Sequence, residues 1–388
     1  MKKLLSILLA VFMVFALVGC GNSTTEEEQQ QEPEDTTKEI VMITDIGDID
    51  DQSFNQGTYD GVKGWAEKNG KSFAYIKPVD STNKGLQDAI DLAVESYGAK
   101  VIVCPGYVFA TPVWAKQSEY PDVHFVILDS SLNDENYTDF TVKENVACFT
   151  YVAEISGFLA GYAAVKEGMT NLAYLGGIGY NTVYCYGVGF AQGAEYAANE
   201  DGLADGSINL TWDYTGNFDD TPDNKTKAAG LLSSGVECIF TVGGKNQKSC
   251  FQAASEAEGN KWIISPDTDS TGLSDKCLTS ALKGLAHSVE LGLDDLYNNN
   301  AAKYFGKVNV LSIADEAVGL CPVFDRFTKF TKEAYDAVYN KILNGEIKVL
   351  MPEKSDYVEY EDGTQYLGEG VTYNKVNFNF VAKTAKAQ

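Results

Sequence analysis

Four aspartates, Asp45, Asp48, Asp50 and Asp51, follow the apolar run at 40–44 and precede Gln52-Ser53-Phe54-Asn55-Gln56. An acid-rich loop that leaves a strand and enters a helix suits two kinds of work. Its carboxylates can accept hydrogen bonds from hydroxyl and amino groups of a ligand. Alternatively, Asp51 or Ser53 caps the free amides of the helix, which would account for the acids without any ligand. A calcium loop of the EF-hand type is excluded, because it needs glycine at the sixth place and glutamate at the twelfth, and neither register supplies them.

Two further strand ends carry acids. Phe125-Val126-Ile127-Leu128 runs into Asp129, and the run at 262–265 leads into Pro266-Asp267-Thr268-Asp269-Ser270. Carboxylates paired at strand ends suit sugar hydroxyls, which can bridge their two oxygens. Catalytic sets are missing: the two histidines, His124 and His287, fall on an apolar strand and an apolar helix, and no Ser-His-Asp set or zinc spacing accompanies them. Gly243-Gly244-Lys245-Asn246-Gln247-Lys248-Ser249 has the wrong spacing for a phosphate loop. No catalytic residue, metal ligand or cofactor is expected. The formal charge of −25 would repel phosphate backbones, so nucleic acid is not an expected partner. After Cys20, seven cysteines are scattered singly, without a Cys-x-x-Cys pair and in odd number, which argues against a disulfide framework.

The elements that must position these loops follow a βα rhythm. Apolar runs at 40–44, 73–77, 101–104, 124–128 and 146–149 alternate with helical spacings near 54–68, 84–97 and 110–119. The rhythm restarts with a helix at 153–166. Strands then fall at 171–175, 208–213, 237–242 and 262–265, with helices near 184–198, 221–233 and 246–257. Two successive parallel-sheet α/β domains flanked by helices are predicted, with a ligand cleft at the carboxyl ends of the strands. Beyond Asp269 come a helix-rich piece, a strand near 307–312, a long helix near 324–344 and a tail rich in Tyr, Gly and Glu. The expected division places 39–150 and 270–305 in the first lobe, and 151–269 and 306–388 in the second.

At the amino end, Lys2 and Lys3 precede an apolar run ending in Leu17-Val18-Gly19-Cys20, the layout of a signal peptide. The last four residues are similar to the lipobox of bacterial lipoproteins, which implies removal of 1–19, lipid on Cys20 and a location on the extracytoplasmic face of the cell membrane. Residues 20–38, acidic and nearly free of apolar side chains, read as a flexible tether.

With these features together, the chain resembles the basic membrane protein family of ABC-transporter substrate-binding lipoproteins. The matching pieces are Asp45-x-Gly47 with Asp51-Gln52-Ser53-Phe54-Asn55-Gln56, Ser156-Gly157-Phe158-Leu159-Ala160-Gly161, the 183–194 helix, Asp267-x-Asp269 and Thr279-Ser280-Ala281-Leu282-Lys283. The resemblance implies a two-lobed periplasmic-binding-protein fold of type I. It also implies a monomer that hands a nucleoside, most often a purine, to ABC permease and ATPase subunits. Residue by residue, it implies a base held between Phe54 and Tyr186, its edge bonded by Asp45, Ser53 or Asn55, and Asp129. Gly243 or Gly244, Asp267 and Lys283 would surround the ribose. The rival readings are an extracytoplasmic nucleoside hydrolase, whose calcium-binding Asp-Pro-Gly-x-Asp-Asp loop the acids partly echo, and a sensor or adhesion lipoprotein of the same fold.

Overall fold

A computed structural model describes residues 37–45, 47–351 and 372–381. Strands and helices alternate from the start: β1 Ile40–Ile43, α1 Phe54–Asn69, β2 Phe73–Ile76, α2 Asn83–Glu95, β3 Val101–Pro105, α3 Ala110–Glu119, β4 His124–Leu128 and β5 Val146–Tyr151. The second series is α4 Glu154–Lys166, β6 Asn171–Gly176, α5 Asn181–Glu200, β7 Ile208–Tyr214, α6 Pro222–Ser233, β8 Cys238–Val242, α7 Asn246–Glu256, β9 Trp262–Asp267 and β10 Cys277–Lys283. The chain continues through α8 Leu285–Asn299, β11 Lys307–Leu311, β12 Val318–Leu320, α9 Lys332–Leu343 and β13 Val376–Phe380.

Two sheets result, ordered β11-β5-β4-β3-β1-β2 and β12-β10-β9-β8-β6-β7-β13. All neighbours run parallel except β12, which is antiparallel to β10. The core order of the first sheet, β2-β1-β3-β4-β5, repeats in the second as β7-β6-β8-β9-β10. Strands buried on both faces explain why the runs read as continuous apolar stretches. In the first sheet Val41, Ile43, Ile102 and Cys104 face one cluster, while Ile40, Met42, Val101 and Val103 face the other. The seven cysteines among the described residues are free and buried, as expected of thiols used as small apolar groups.

The carboxyl-terminal half departs from the expected division. β10 pairs with β9 in the second sheet, although 270–305 was expected in the first lobe. β11 pairs with β5 in the first sheet, although 306–388 was expected in the second. Thr279 and Ser280 make β10 a buried strand without an apolar run, and the Val-Asn-Val alternation of β11 fits the edge of either sheet. The chain therefore passes between lobes three times, at 151–154, 283–285 and 311–318. The helix expected at 324–344 begins only at Lys332, where Thr331 accepts from the Ala334 amide as its cap. The preceding residues form an aromatic turn that buries Phe327 and Phe330. Cys20 and the rest of 1–36 lie outside the described residues, among which no helix is long and apolar enough to cross a membrane.

The first helix of the second lobe is held at unusually short range. A Cβ built on Gly189 of α5 would lie 1.9 Å from the Glu154 carbonyl oxygen, and one on Gly193 would lie 1.9 Å from that of Phe158. Reciprocally, Gly157 and Gly161 of α4 would meet the carbonyl oxygens of Tyr186 and Phe190 at 2.0 Å. Backbone faces backbone, and no rotamer change can relieve an added methyl. Gly189→Ala is expected to lower unfolding stability in urea by about 1–3 kcal/mol through overpacking. Gly230→Ala, in α6 with open space around it, should instead raise stability by about 0.5–1 kcal/mol. Equal effects at both sites would contradict this packing.

Candidate ligand-binding cleft

The carboxyl ends of both sheets converge on a cavity of about 150 Å³. On the first-lobe side, the loop after β1 is ordered by its own acids. Asp51 accepts from the backbone amides of Ser53 (2.9 Å), Asn55 (2.9 Å) and Gln56 (3.0 Å), so it caps α1, and Ser53 is freed from that duty. Burial pushes the Asp51 carboxyl above its ordinary value despite these donors. Asn55 donates through Nδ2 to Asp45 (2.7 Å) and Asp51 (3.0 Å), and its Oδ1 accepts from the Asp45 amide at 3.2 Å. That amide has no hydrogen left for a ligand. Asn55 therefore positions Asp45 from the cavity wall.

The floor of the cavity is a buried charge cluster fed by both lobes. Asp129, just past β4, and Asp267, the last residue of β9, occupy matching places in the two sheets, and both adopt left-handed backbone, with φ of 62° and 65°. Lys283, which ends β10, donates to Asp129 at 2.7 Å and lies 3.9 Å from Asp267. Asp267 also accepts from Ser53 Oγ at 2.7 Å and from the Tyr186 hydroxyl at 3.1 Å. Burial raises the Asp267 carboxyl above its usual range, against the pull of Lys283 and Ser53. Burial also acts to discharge Lys283, but Asp129 and Asp267 outweigh it and hold the ammonium above its ordinary value. One cation between two carboxylates leaves the floor rich in acceptors, suited to a ligand that brings hydroxyl or amino hydrogens.

Asp45, Phe54, Asn55, Asp129, Tyr186, Gly243, Gly244, Asp267 and Lys283 all line this cavity. Ser53 reaches it through Asp267. Gly243 and Gly244 contribute backbone only: a Cβ on Gly243 would lie 3.1 Å from Gly177, so the two strand-end loops touch main chain to main chain. Tyr186, expected to stack on a base, lines the cavity and is also bonded into its floor. The residue is fully buried, its hydroxyl is spent on Asp267, and its ring meets Phe240 edge-on at 5.8 Å. It supports the floor.

Three aromatics absent from the sequence-based set line the cavity as well: Tyr107, Tyr180 and Phe218. Tyr180 stacks on Phe218 at 6.3 Å and 25°, and Tyr107 approaches Tyr180 at 4.3 Å. Phe218 faces the cavity from the second lobe and Phe54 from the first. Its only sequence signal was position, a lone aromatic in the polar loop after β7, at the kind of strand end that had singled out Asp129.

Glu154 stands where the chain first crosses between lobes, within the field of Lys283. Burial lifts its carboxyl to about 7 from 4.5, with Lys283 acting in the opposite direction. A carboxyl that keeps its proton longer when folded makes stability fall as pH rises from 4.5 to about 7, because only the unfolded chain releases the proton in that window. Glu154→Gln should therefore raise the melting midpoint relative to the parent above pH 7 and leave it nearly unchanged at pH 4.5. An equal shift at both ends would show that the substitution acts through packing.

Comparison with known proteins places these features in context. The family profile for ABC transporter substrate-binding protein PnrA-like matches residues 38–353. Basic membrane protein A1 of Borrelia garinii is 27% identical over 92% of this chain and 98% of its own length. The ABC transporter nucleoside-binding protein BmpA of Lactococcus lactis is 25% identical over 67% of this chain and 72% of its own. Among solved structures, a solute-binding protein of an ABC transporter system from Aeropyrum pernix superimposes with a TM-score of 0.70 at 19% identity, covering 81% of this chain and 94% of that one.

Proposed function

The chain belongs to the PnrA-like family of ABC transporter substrate-binding proteins, and from that premise we propose that it captures a purine nucleoside between its lobes and passes it to an importer. The observation that carries this reading is one cavity lined both by aromatic rings from the two lobes, Phe54 and Phe218, and by the acceptor floor of Asp129 and Asp267 around Lys283. A flat heterocycle fits against the rings, and ribose hydroxyls and ring N–H groups fit the carboxylates. The Lactococcus relative, named for nucleoside binding, supports the same ligand class. No bond is made or broken in this role. A ligand touching both lobes stabilises the closed arrangement by its differential affinity for it. Lipid on Cys20 would keep capture and delivery at one membrane surface, with residues 20–38 as the tether.

Thermal-shift titration tests the ligand class. Inosine, adenosine and guanosine are expected to raise the melting midpoint more than uridine or cytidine. Phe54→Ala and Phe218→Ala should each weaken the best purine by about 1–3 kcal/mol, the worth of one stacking face, or ~5- to 150-fold. Failure of every nucleoside, with a shift from another metabolite, would discard the nucleoside reading. Release of hypoxanthine from inosine at enzyme-like rates would instead convert the protein into a hydrolase.

A further inference from the structure

Outside the floor cluster, the two lobes also touch each other at the rim of the cleft, through side chains that the nucleoside reading leaves without a task. Asp48, in the loop after β1, receives Lys245 from the second lobe at 2.7 Å and Lys77 from its own lobe. Lys245 also lies 3.6 Å from Asp50. Beside this ion pair, the ring of Tyr107 from the first lobe meets that of Tyr180 from the second at 4.3 Å. All four of Asp48, Lys245, Tyr107 and Tyr180 line the cavity.

Behind the rim, the same loop is pinned more firmly. The carbonyl of Gln52 accepts from Gln247 Nε2 at 2.7 Å and from Thr268 Oγ1 at 3.1 Å, both from the second lobe. Ser270 Oγ donates to Gln247 Oε1 at 3.0 Å, which fixes the amide with its nitrogen toward Gln52. Gln247 is fully buried, whereas the Lys245 and Asp48 side chains are 27% and 39% exposed. The inner bonds therefore deliver the loop to a set place, and the rim pair is the part open to water and salt.

We propose that Lys245 and Tyr180 of the second lobe form a clasp on Asp48 and Tyr107 of the first, and that this clasp sets how much of the protein is closed. Its contacts run from protein to protein. Lys245 is a positioning residue in this scheme: it holds the acid loop, with Asp45 and Phe54 on it, against the opposite lobe. The two halves of the clasp differ in kind. The ion pair is attenuated by salt, since the screening length falls to about 3 Å at 1 M, and the ring contact is not.

Small-angle scattering of the purified protein without added ligand reads this directly. A chain of this size has a compact radius of gyration of about 20 Å, and hinge opening of two lobes raises it. Lys245→Met combined with Tyr180→Ala should produce that rise, Lys245→Met alone a partial one, and Lys245→Arg none. Raising salt toward 1 M should move the parent toward the Lys245→Met value and leave Lys245→Met itself in place. A double variant with the parent's radius overturns the proposal. Far-UV circular dichroism checks that the variants are folded. If the double variant does not fold, the salt series on the parent decides, and a radius constant across it is equally fatal. Since no nucleoside enters the measurement, this outcome is separate from that of the thermal-shift titration.

Discussion

A single buried ammonium organises the molecule. Lys283 is the last residue of β10 in the second sheet, and Gly284 and α8 carry the chain back beneath the first. The cation therefore sits on a crossing between lobes, and its partners, Asp129 and Asp267, arrive from matching strand ends of the two sheets. Desolvating three charges is costly, and a buried ion pair earns no presumption of net stability. Its effect is on arrangement: each carboxylate left without the ammonium would be a buried, uncompensated charge, so the strand ends of the two lobes have one satisfactory disposition around Lys283.

The floor shows what that disposition demands of the backbone. Asp129 and Asp267 both sit at positive φ, where a non-glycine residue is held only by its surroundings. Two equivalent residues strained alike suggest that the repeated β2-β1-β3-β4-β5 order delivers a turn of the same kind in each lobe. The lobes then diverge in how they build the remaining walls. The first uses a polar loop knitted by Asp45, Asp51 and Asn55. The second uses bare main chain at Gly243 and Gly244, backed by Gly177, with Phe218 and Tyr180 projecting beside it. Their backing also differs, for α4 and α5 meet through glycines at backbone contact, which leaves the second lobe little freedom to deform internally.

These differences explain what could be read in advance. Strands covered on both faces must be apolar throughout, so β1, β3, β4 and β8 were plain. β10 escaped because Thr279 and Ser280 satisfy their hydroxyls inside the protein, a fact that depends on neighbours distant in sequence. Strand ends told where Asp129 and Asp267 lie, since the topology of a parallel sheet forces them toward the cleft. Tyr186 came from the resemblance alone, because α5 is buried nearly all round and its spacing does not say which ring faces a cavity. Asn55 is a related case: whether an amide serves a ligand, its own loop or both is decided by geometry over a few ångströms. Phe218 has no periodic context at all, and only the convergence of the two lobes reveals its part.

Closure can then be weighed as a sum of separate contributions. Taking a two-state cleft from one part in a hundred closed to one part open needs about 5.5 kcal/mol of differential binding. Two stacking faces at about 1–3 kcal/mol each come close to that but leave little for the ordering of side chains that accompanies closure. Direct contacts between lobes lower the requirement, yet if they were strong the cleft would shut regardless of ligand and exchange would stall. The buried bonds to Gln52 are of the strong kind, and they act on the loop near the chain crossing. The contacts at the rim, an ion pair partly open to water and one pair of rings, are of the weak kind, with exposed pairs worth about 0.2–1 kcal/mol. That grading, firm inside and weak at the edge, lets the ligand decide the balance while the protein sets how finely it is poised.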